Sequence, residues 1–568
     1  MTPERPDSRP WFRSYPAGVP RSVQSSDQTL SDLLDASVAA YGDRVATDFF
    51  GRETTYARLG DQVARAAGGL DALGVRAGDR VSVILPTVPE NVVAFYAVAR
   101  LAAVCVEENP ALAPDELASH LREYGSEVAI VARELAATVA SFIGRPGVAL
   151  RRVVAVDSFR GLPADVAHDV TGPWRGAARA DADGTEPALA IIGWDGLLSH
   201  PALPASHPRP RPGATALIQY TSGTTGSPKG AVITHANQRT NALQLEKWYP
   251  DFTPGHEVFF TFLPFSHVYG IMVVMVMGVS VGARIVLLPR MSMIDAAAAM
   301  RRAPATFLPG VPPIYDALSR SAEHGAIDLH GIKYAMSGAM PLTAPTVERW
   351  VAATGGVIIE GYGMTEVSGA SLFTPVDAQW RPGTVGVPLP GTDARIVDPD
   401  SLAPVPLGEA GELLVRGPQV FQGYWNRPEE TAEVLLPDGW LRTGDLAKMG
   451  TDGYVTIVGR LKELIITGGL NVSPTEVERV LAAAPGVAEA VVVPRPKAVG
   501  GEGVAAGVVI AAGAAFDPQA IRAFVRDHLA AYETPKHIVA LPALPRTPVG
   551  KILRSEAARQ VNALIDAA

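Results

Sequence analysis

The segment Tyr220-Thr-Ser-Gly-Thr-Thr-Gly-Ser-Pro-Lys-Gly constrains this chain more than any other. Gly223 and Gly226 let backbone N–H groups approach an anion closely and permit positive φ. The hydroxyls of Thr221, Ser222, Thr224 and Thr225 donate to phosphate oxygens, and Lys229 adds a point charge. The upstream run Thr215-Ala-Leu-Ile-Gln-Tyr reads as a short buried strand. The pattern is therefore a strand feeding a polyphosphate-cradling loop. It is not a Walker A loop, which needs G-x-x-x-x-G-K-[ST]; here Gly230 follows Lys229 and the glycine spacing differs. A plain Ser/Thr/Gly linker has no need of the Pro-Lys-Gly ending or the flanking strands.

A chain of 568 residues is too long for one core, so at least two domains are expected. Lys plus Arg is 49 against 58 Asp plus Glu, a net charge of −9, which argues against a nucleic-acid binder. The single cysteine, Cys105, excludes an intrachain disulfide and suits a reducing cytoplasm. Its apolar neighbours make it a buried small hydrophobe rather than a nucleophile. The N-terminus has no apolar signal-peptide core. The most apolar window, 268–283, is short for a membrane span of about 20 residues and reads as a buried helix or pocket wall, so no integral membrane association is expected.

Residues 1–28, rich in Pro, Arg and Ser at the start, read as an N-terminal arm. Helical spacing follows over 31–41, 56–73 and 91–101, with strands at 81–85, 128–131 and 153–156. This alternation predicts an α/β architecture with largely parallel sheets. Residues 157–213 break the rhythm with a Pro-rich surface excursion. After Gly383 the pattern becomes strands and turns, a smaller β-rich subdomain, and an αβ stretch follows Gly459.

Further motifs suit a nucleotide and a carboxylate. Leu263-Pro-Phe-Ser-His-Val-Tyr-Gly sets His267 and Tyr269 beside an apolar wall. Ser337-Gly-Ala-Met-Pro-Leu ends a strand with small residues that admit a flat ligand. Glu360-Gly-Tyr-Gly-Met-Thr-Glu holds Tyr362 between glycines, where it can stack on a base, and Thr365-Glu366 can hold a phosphate and Mg²⁺. Trp440-Leu-Arg-Thr-Gly-Asp presents Asp445, and carboxylates often bind ribose hydroxyls. Arg460, the Thr467-Gly-Gly-Leu-Asn loop and Lys551 in Pro-Val-Gly-Lys complete the set.

In this order and spacing, over residues 29–557, these motifs resemble the adenylate-forming superfamily of acyl-CoA synthetases, coumarate–CoA ligases, luciferases and adenylation domains. The resemblance implies an α/β fold: a large N-terminal domain (29–460) of two βα sheets plus the β-rich subdomain, and a small mobile α+β C-terminal domain (461–568). It implies that Thr221 to Lys229 (with Ser222, Gly223, Thr224, Thr225 and Gly226) cradle the ATP phosphates. Gly338, Ala339, Glu360, Gly361 and Tyr362 would form the adenine site. Thr365 would contact the α-phosphate, Glu366 would hold Mg²⁺, and Asp445 and Arg460 would bind ribose. Lys462 is the implied hinge and Lys551 the implied adenylation lysine, with His267 also at the reacting end. Gly468 and Gly469 would line a narrow pantetheine tunnel, which favours CoA as thiol acceptor. The acid pocket is expected from His267, Tyr269, Met272, Val273, Gly338 and Gly363, with 367–370 beside them. These segments carry no lysine or arginine, so a singly charged acid with an aromatic or apolar tail is expected.

The implied activity is ATP-dependent formation of an acyl-AMP and transfer to CoA by a cytoplasmic enzyme, with a homodimer compatible with the resemblance. Several positions depart from the family pattern. Ile466 replaces a lysine of the coumarate–CoA ligases, Glu533 a common lysine, and Val549 a Thr or Ser. Glu107 and Glu108 stand where apolar or small residues are usual, and an exposed turn is the plain reading of them. The departures leave open a carrier protein, an amine, an oxidative step or an inorganic oxyanion such as nitrite as the alternative chemistry. A nucleotide-binding pseudoenzyme is disfavoured by the retained Lys229, Glu366, Asp445, Arg460 and Lys551.

Overall fold

The computed structural model describes residues 9–160, 162, 190–221, 228–467, 470–496, 502–546 and 550–567. Two large sheets dominate. In the first, eight strands run in the order Gly423–Tyr424, Lys229–Thr234, Thr215–Thr221, Val104–Glu107, Arg80–Ile84, Val128–Ala132, Arg152–Val156, Ile191–Gly193. The pairings from Thr215–Thr221 to Ile191–Gly193 are parallel, and Lys229–Thr234 returns antiparallel. The central strands are near-continuous apolar runs because helices cover both faces. The second sheet has nine strands, with Phe307–Gly310, Tyr334–Ser337 and Ile358–Tyr362 adjacent and parallel.

The expected helices at 31–41, 56–73 and 91–101 are present as Leu30–Tyr41, Tyr56–Ala72 and Pro89–Arg100. Leu30–Tyr41 begins with a capping box, Thr29 and Asp32 satisfying each other's backbone N–H. His235–Trp248 begins the same way, with Thr234 and Asn237. The apolar window at 268–283 is a buried helical segment, Gly270–Val276 followed by Met277–Ser280, with i→i+5 geometry in its first part. The N-terminal segment is docked: Trp11 is buried, Tyr15 packs edge-on against Trp248, and its hydroxyl donates to the Pro388 carbonyl at 2.7 Å.

The β-rich stretch is an antiparallel sheet of Asp393–Val397, Gly411–Arg416, Leu441–Met449 and Val455–Arg460. Beyond it, the antiparallel pair Ile465–Thr467 and Leu470–Val472 precedes a three-stranded sheet of Val487–Pro496, Glu502–Ile510 and His537–Ala540. These elements enclose their own apolar core, including Ile465, Val477, Leu481, Val492, Val508 and Val525. Among the described residues, no helix is long and apolar enough to cross a membrane.

Glu107 and Glu108 correct the sequence reading. They are 1% and 2% exposed, at the end of the Val104–Glu107 strand, not in an exposed turn. Residues in that strand alternate faces, and each glutamate meets a side chain from a different covering helix. Asn91 of Pro89–Arg100 reaches Glu107, and His120 of Pro114–Tyr124 reaches Glu108.

Candidate active site

Residues far apart in sequence converge where the ends of the second sheet meet the β-rich stretch. Leu441–Met449 and Val455–Arg460 pair antiparallel with Asp445 directly opposite Arg460, so the pairing itself brings carboxylate and guanidinium together. Arg460 Nε lies 2.8 Å from Asp445 Oδ1, and the Tyr362 hydroxyl donates to Asp445 Oδ2 at 2.5 Å. Asp445 is buried, and this pair of donors keeps it anchored; a carboxylate retains lone pairs for further donors.

Glu360 precedes Tyr362 on the Ile358–Tyr362 strand. Its carboxyl accepts the Trp380 indole N–H at 3.0 Å and the Leu342 backbone N–H at 3.3 Å. Burial pushes its pKa up to about 7, against the pull of those two donors. Ala339, in the Ser337–Leu342 turn, adopts φ 65°, a left-handed conformation costly for a residue with a Cβ and most often kept at functional sites. Gly361 is buried with Met336 and Phe373 against its Cα, and Gly338 lies against the Tyr269 ring. A Cβ on Gly363 would sit 1.8 Å from the Gly369 carbonyl oxygen, so only glycine fits there.

Thr365 opens a single helical turn, Thr365–Val367, and Glu366 lies buried in it. One Glu366 oxygen accepts the Tyr424 hydroxyl at 2.7 Å; the other makes no side-chain hydrogen bond among the described residues. Burial raises the Glu366 pKa, and Tyr424 opposes the shift. The Lys229 ammonium sits 5.1 Å from the centre of the Tyr424 ring. Tyr424 thus joins Lys229 to Glu366. Neither it nor Trp380 was identifiable as a site residue from sequence: no local spacing marks either aromatic as a partner of Glu366 or Glu360.

His267 Nδ1 accepts the Tyr269 backbone N–H at 3.2 Å, which places the ring proton on Nε2. Burial, reinforced by the positive charge of Lys551, pulls its pKa down to about 4, so the ring is neutral at neutral pH. The Tyr269 hydroxyl donates to the Met336 carbonyl at 2.8 Å and the Gly310 carbonyl at 3.1 Å, so it is its ring, not its hydroxyl, that lies against Gly338. Met272 and Val273 are fully buried in the Gly270–Val276 segment, and Met272 faces Gly369.

Lys551 lies within electrostatic reach of Arg460, Asp445, Glu463 and Glu366. Burial and the Arg460 charge lower its pKa, while the carboxylates oppose them. The preceding Gly550 rests against the Met340 sulfur of the Ser337–Leu342 turn. Lys462 is exposed in the Leu461–Glu463 turn directly after Arg460. Thr221 ends the Thr215–Thr221 strand at the site. Ser222, Gly223, Thr224, Thr225, Gly226, Gly468, Gly469 and Val549 lie outside the described residues.

Strand register brings Asp445 and Arg460 together, and the C-terminal residues bring Lys551 into their electrostatic reach. Residues 34–425 match the family described as AMP-binding enzyme, and 476–551 match the AMP-binding enzyme C-terminal domain. The chain belongs to the AMP-binding enzyme family, within the adenylate-forming superfamily. It is 34% identical over 551 residues to the long-chain-fatty-acid–CoA ligase of Bacillus subtilis (strain 168), covering 96% of this chain and 97% of that protein. It is also 34% identical over 511 residues to the feruloyl-CoA synthase of Amycolatopsis sp, covering 90% and 94%. The ATP-bound MatB structure from Rhodopseudomonas palustris superposes with a TM-score of 0.78 at 31% identity, covering 94% of this chain and all of that one (100%).

Proposed function

We propose that this protein is an AMP-forming acid–thiol ligase that activates a singly charged carboxylic acid with an aromatic or apolar body and transfers it to CoA. The observation that carries the reading is Lys551, drawn from the C-terminal residues into the field of Glu366, Asp445 and Arg460. A carboxylate oxygen of the acid attacks the α-phosphorus of ATP, the bond to the bridging oxygen breaks, and pyrophosphate leaves. Charge grows on an already anionic phosphoryl group, so fixed cations are the effective catalysts. Lys551 supplies one and Lys229 another, and Thr365 adds a hydroxyl donor. Asp445 and Arg460 hold the ribose, and Glu360 and Tyr362 flank the adenine with Gly338, Ala339 and Gly361.

Glu366 fits magnesium: it is a single buried carboxylate with one oxygen fixed by Tyr424, and Mg²⁺ commonly takes one or two carboxylates and completes its shell with water and phosphate. The ion would neutralise phosphate charge. His267, neutral and carrying its proton on Nε2, offers a donor to the acid beside the Tyr269 ring. In the second step the CoA sulfur attacks the acyl carbon, AMP leaves and the thiol proton is released. This reading divides the chain at 460/461 and uses Lys462 as the hinge for a rotation that withdraws Lys551 and brings the 467–471 loop to the acyl-AMP. The separate apolar core of the C-terminal elements supports such rigid-body movement. The lone cysteine supports a cytoplasmic setting.

The test is pyrophosphate release over a panel of benzoic, cinnamic and fatty acids, with and without CoA, and mass detection of the thioester. Acid-dependent release with thioester formed only when CoA is present is the expected result. Acyl-AMP that persists in the presence of CoA would move the acceptor to another nucleophile.

A further inference from the structure

Glu107 is a buried carboxyl that adenylation does not use. Its register partner across the parallel pairing is Gln219, so the two side chains leave the sheet on the same face. Gln219 shows where that face looks: its Nε2 donates to the Ser266 carbonyl at 2.8 Å, one residue before His267. Thr87, just before the Pro89–Arg100 helix, donates to the Leu263 carbonyl at 3.1 Å from the same side. The 263–269 segment, which carries His267 and Tyr269, therefore packs against Gln219 through Ser266 and against Thr87 through Leu263.

The cluster is rich in acceptors and poor in donors. Asn91 Nδ2 approaches Glu107 Oε2 at 3.4 Å and the Cys105 thiol approaches Oε1 at 3.7 Å, both long contacts. Asn91 Oδ1 and Gln219 Oε1 are buried without a hydrogen-bond partner among the described residues. Buried acceptors are nearly always satisfied, and leaving them unsatisfied is costly. Burial drives the Glu107 pKa well up, and in its protonated form the carboxyl offers an O–H as well as an acceptor. The position is also close to where a sheet of this type binds ligands. The order reverses between Arg80–Ile84 and Val128–Ala132, and Glu107 stands one strand from that switch point, at the carboxyl end of the neighbouring Val104–Glu107 strand.

We infer that Glu107, Asn91 and Gln219 form a hydrogen-bonding subsite on the wall of the acid pocket, selective for acids that carry a neutral hydroxyl or amino substituent. This rests on the ligase reading and deepens it. The substituent donates to the Asn91 and Gln219 oxygens, and a hydroxyl also accepts from the Glu107 carboxyl. A second carboxylate is excluded, because among the described residues the subsite holds no cation. Glu107 is here a specificity-determining residue and takes no part in phosphoryl or acyl transfer.

The experiment compares kcat/KM for matched acids on the full chain: p-coumarate against 4-methylcinnamate, 4-aminobenzoate against 4-methylbenzoate, and an ω-hydroxy fatty acid against its parent. At least one hydroxyl or amino acid is expected to be preferred over its methyl or parent partner by tenfold or more, as in sites built to bind such a group. In Glu107→Leu that ratio collapses by about tenfold or more, chiefly through loss on the hydroxylated or aminated acid, with the KM for ATP unmoved. Glu107→Gln, which keeps a donor and an acceptor, retains most of the ratio. Should the leucine variant not fold, Asn91→Leu gives the same readout. A preference for the methyl or parent acid in every pair, or an unchanged ratio in folded Glu107→Leu, overturns the subsite while leaving the ligase reading intact. Failure of every acid to release pyrophosphate overturns the ligase reading and the subsite with it.

Discussion

At the nucleotide side of the site, Asp445 is buried between Arg460 at 2.8 Å and the Tyr362 hydroxyl at 2.5 Å. At the end of the Val104–Glu107 strand, two adjacent carboxyls are buried just as deeply with different partners. Glu108 meets the His120 ring at 3.1 Å, and that ring stacks on Tyr220 at 4.3 Å, the residue that leads into the phosphate loop. Glu107, on the opposite face, meets among the described residues only the long side-chain contacts from Asn91 and Cys105. One region holds its charge with complementary charge already in place. The other holds a carboxyl pair whose pKa values burial raises, one member opposed by a facing histidine and the other by the Asn91 amide and the Cys105 thiol. The difference teaches that depth of burial does not assign a carboxylate its role; the donors facing it do.

Breaking the Glu108–His120 pair gives the largest expected effect. Removing one partner strands the other in the interior, so Glu108→Leu or His120→Leu alone should lower stability by about 3–5 kcal/mol. The double substitution should recover most of that loss, because two well-packed apolar side chains replace a buried polar pair. Chemical denaturation of the four proteins closes the cycle, and simple additivity would show that the two groups are not coupled.

Lys551→Ala comes next. It should lower pyrophosphate release about 10²–10³-fold, as for loss of one preorganised donor, with the thermal midpoint little changed. Wild-type rates in this variant would remove Lys551 from the chemistry.

Glu360 sharpens the comparison through pH. Its folded pKa of about 7 lies above the ordinary 4.5, so the folded protein keeps a proton that the unfolded chain has released. The associated stability is complete below about pH 4.5 and lost as pH rises through about 7, a difference of about 3 kcal/mol. Glu360→Gln should remove this component, so the stability difference between variant and wild type should grow in favour of the variant across that window. A constant difference would contradict the shift. The smallest effect is expected of Tyr424→Phe, which deletes one hydrogen bond to Glu366 and should cost about 1–2 kcal/mol in kcat/KM at limiting magnesium. Equal loss at saturating and limiting magnesium would separate Tyr424 from the metal site.

Local signals carried much of this fold and site. Leu59, Val63, Ala66 and Leu70 repeat at helical spacing, and all four are buried in the Tyr56–Ala72 helix. The short motifs around Glu360, Asp445 and Lys551 pointed to groups that the fold brings within reach of one another. Glu107 and Glu108 were misread because two consecutive charged residues before Asn-Pro look like a turn. Their burial depends on Asn91 and His120, supplied by helices on opposite faces of the sheet, and no local pattern records that pairing. Tyr424 and Trp380 were missed for the same reason: their partners, Glu366 and Glu360, lie 58 and 20 residues away.

The central claim is that Lys551 and the Glu366–Asp445–Arg460 group form one adenylating site for a carboxylic acid. Isotope exchange between labelled pyrophosphate and ATP, measured without CoA, tests it most directly. Exchange should depend on the acid, require magnesium and fall by about 10²-fold or more in Lys551→Ala. Exchange that proceeds without acid, or an acid-dependent reaction that yields ADP and phosphate instead of AMP and pyrophosphate, would contradict it.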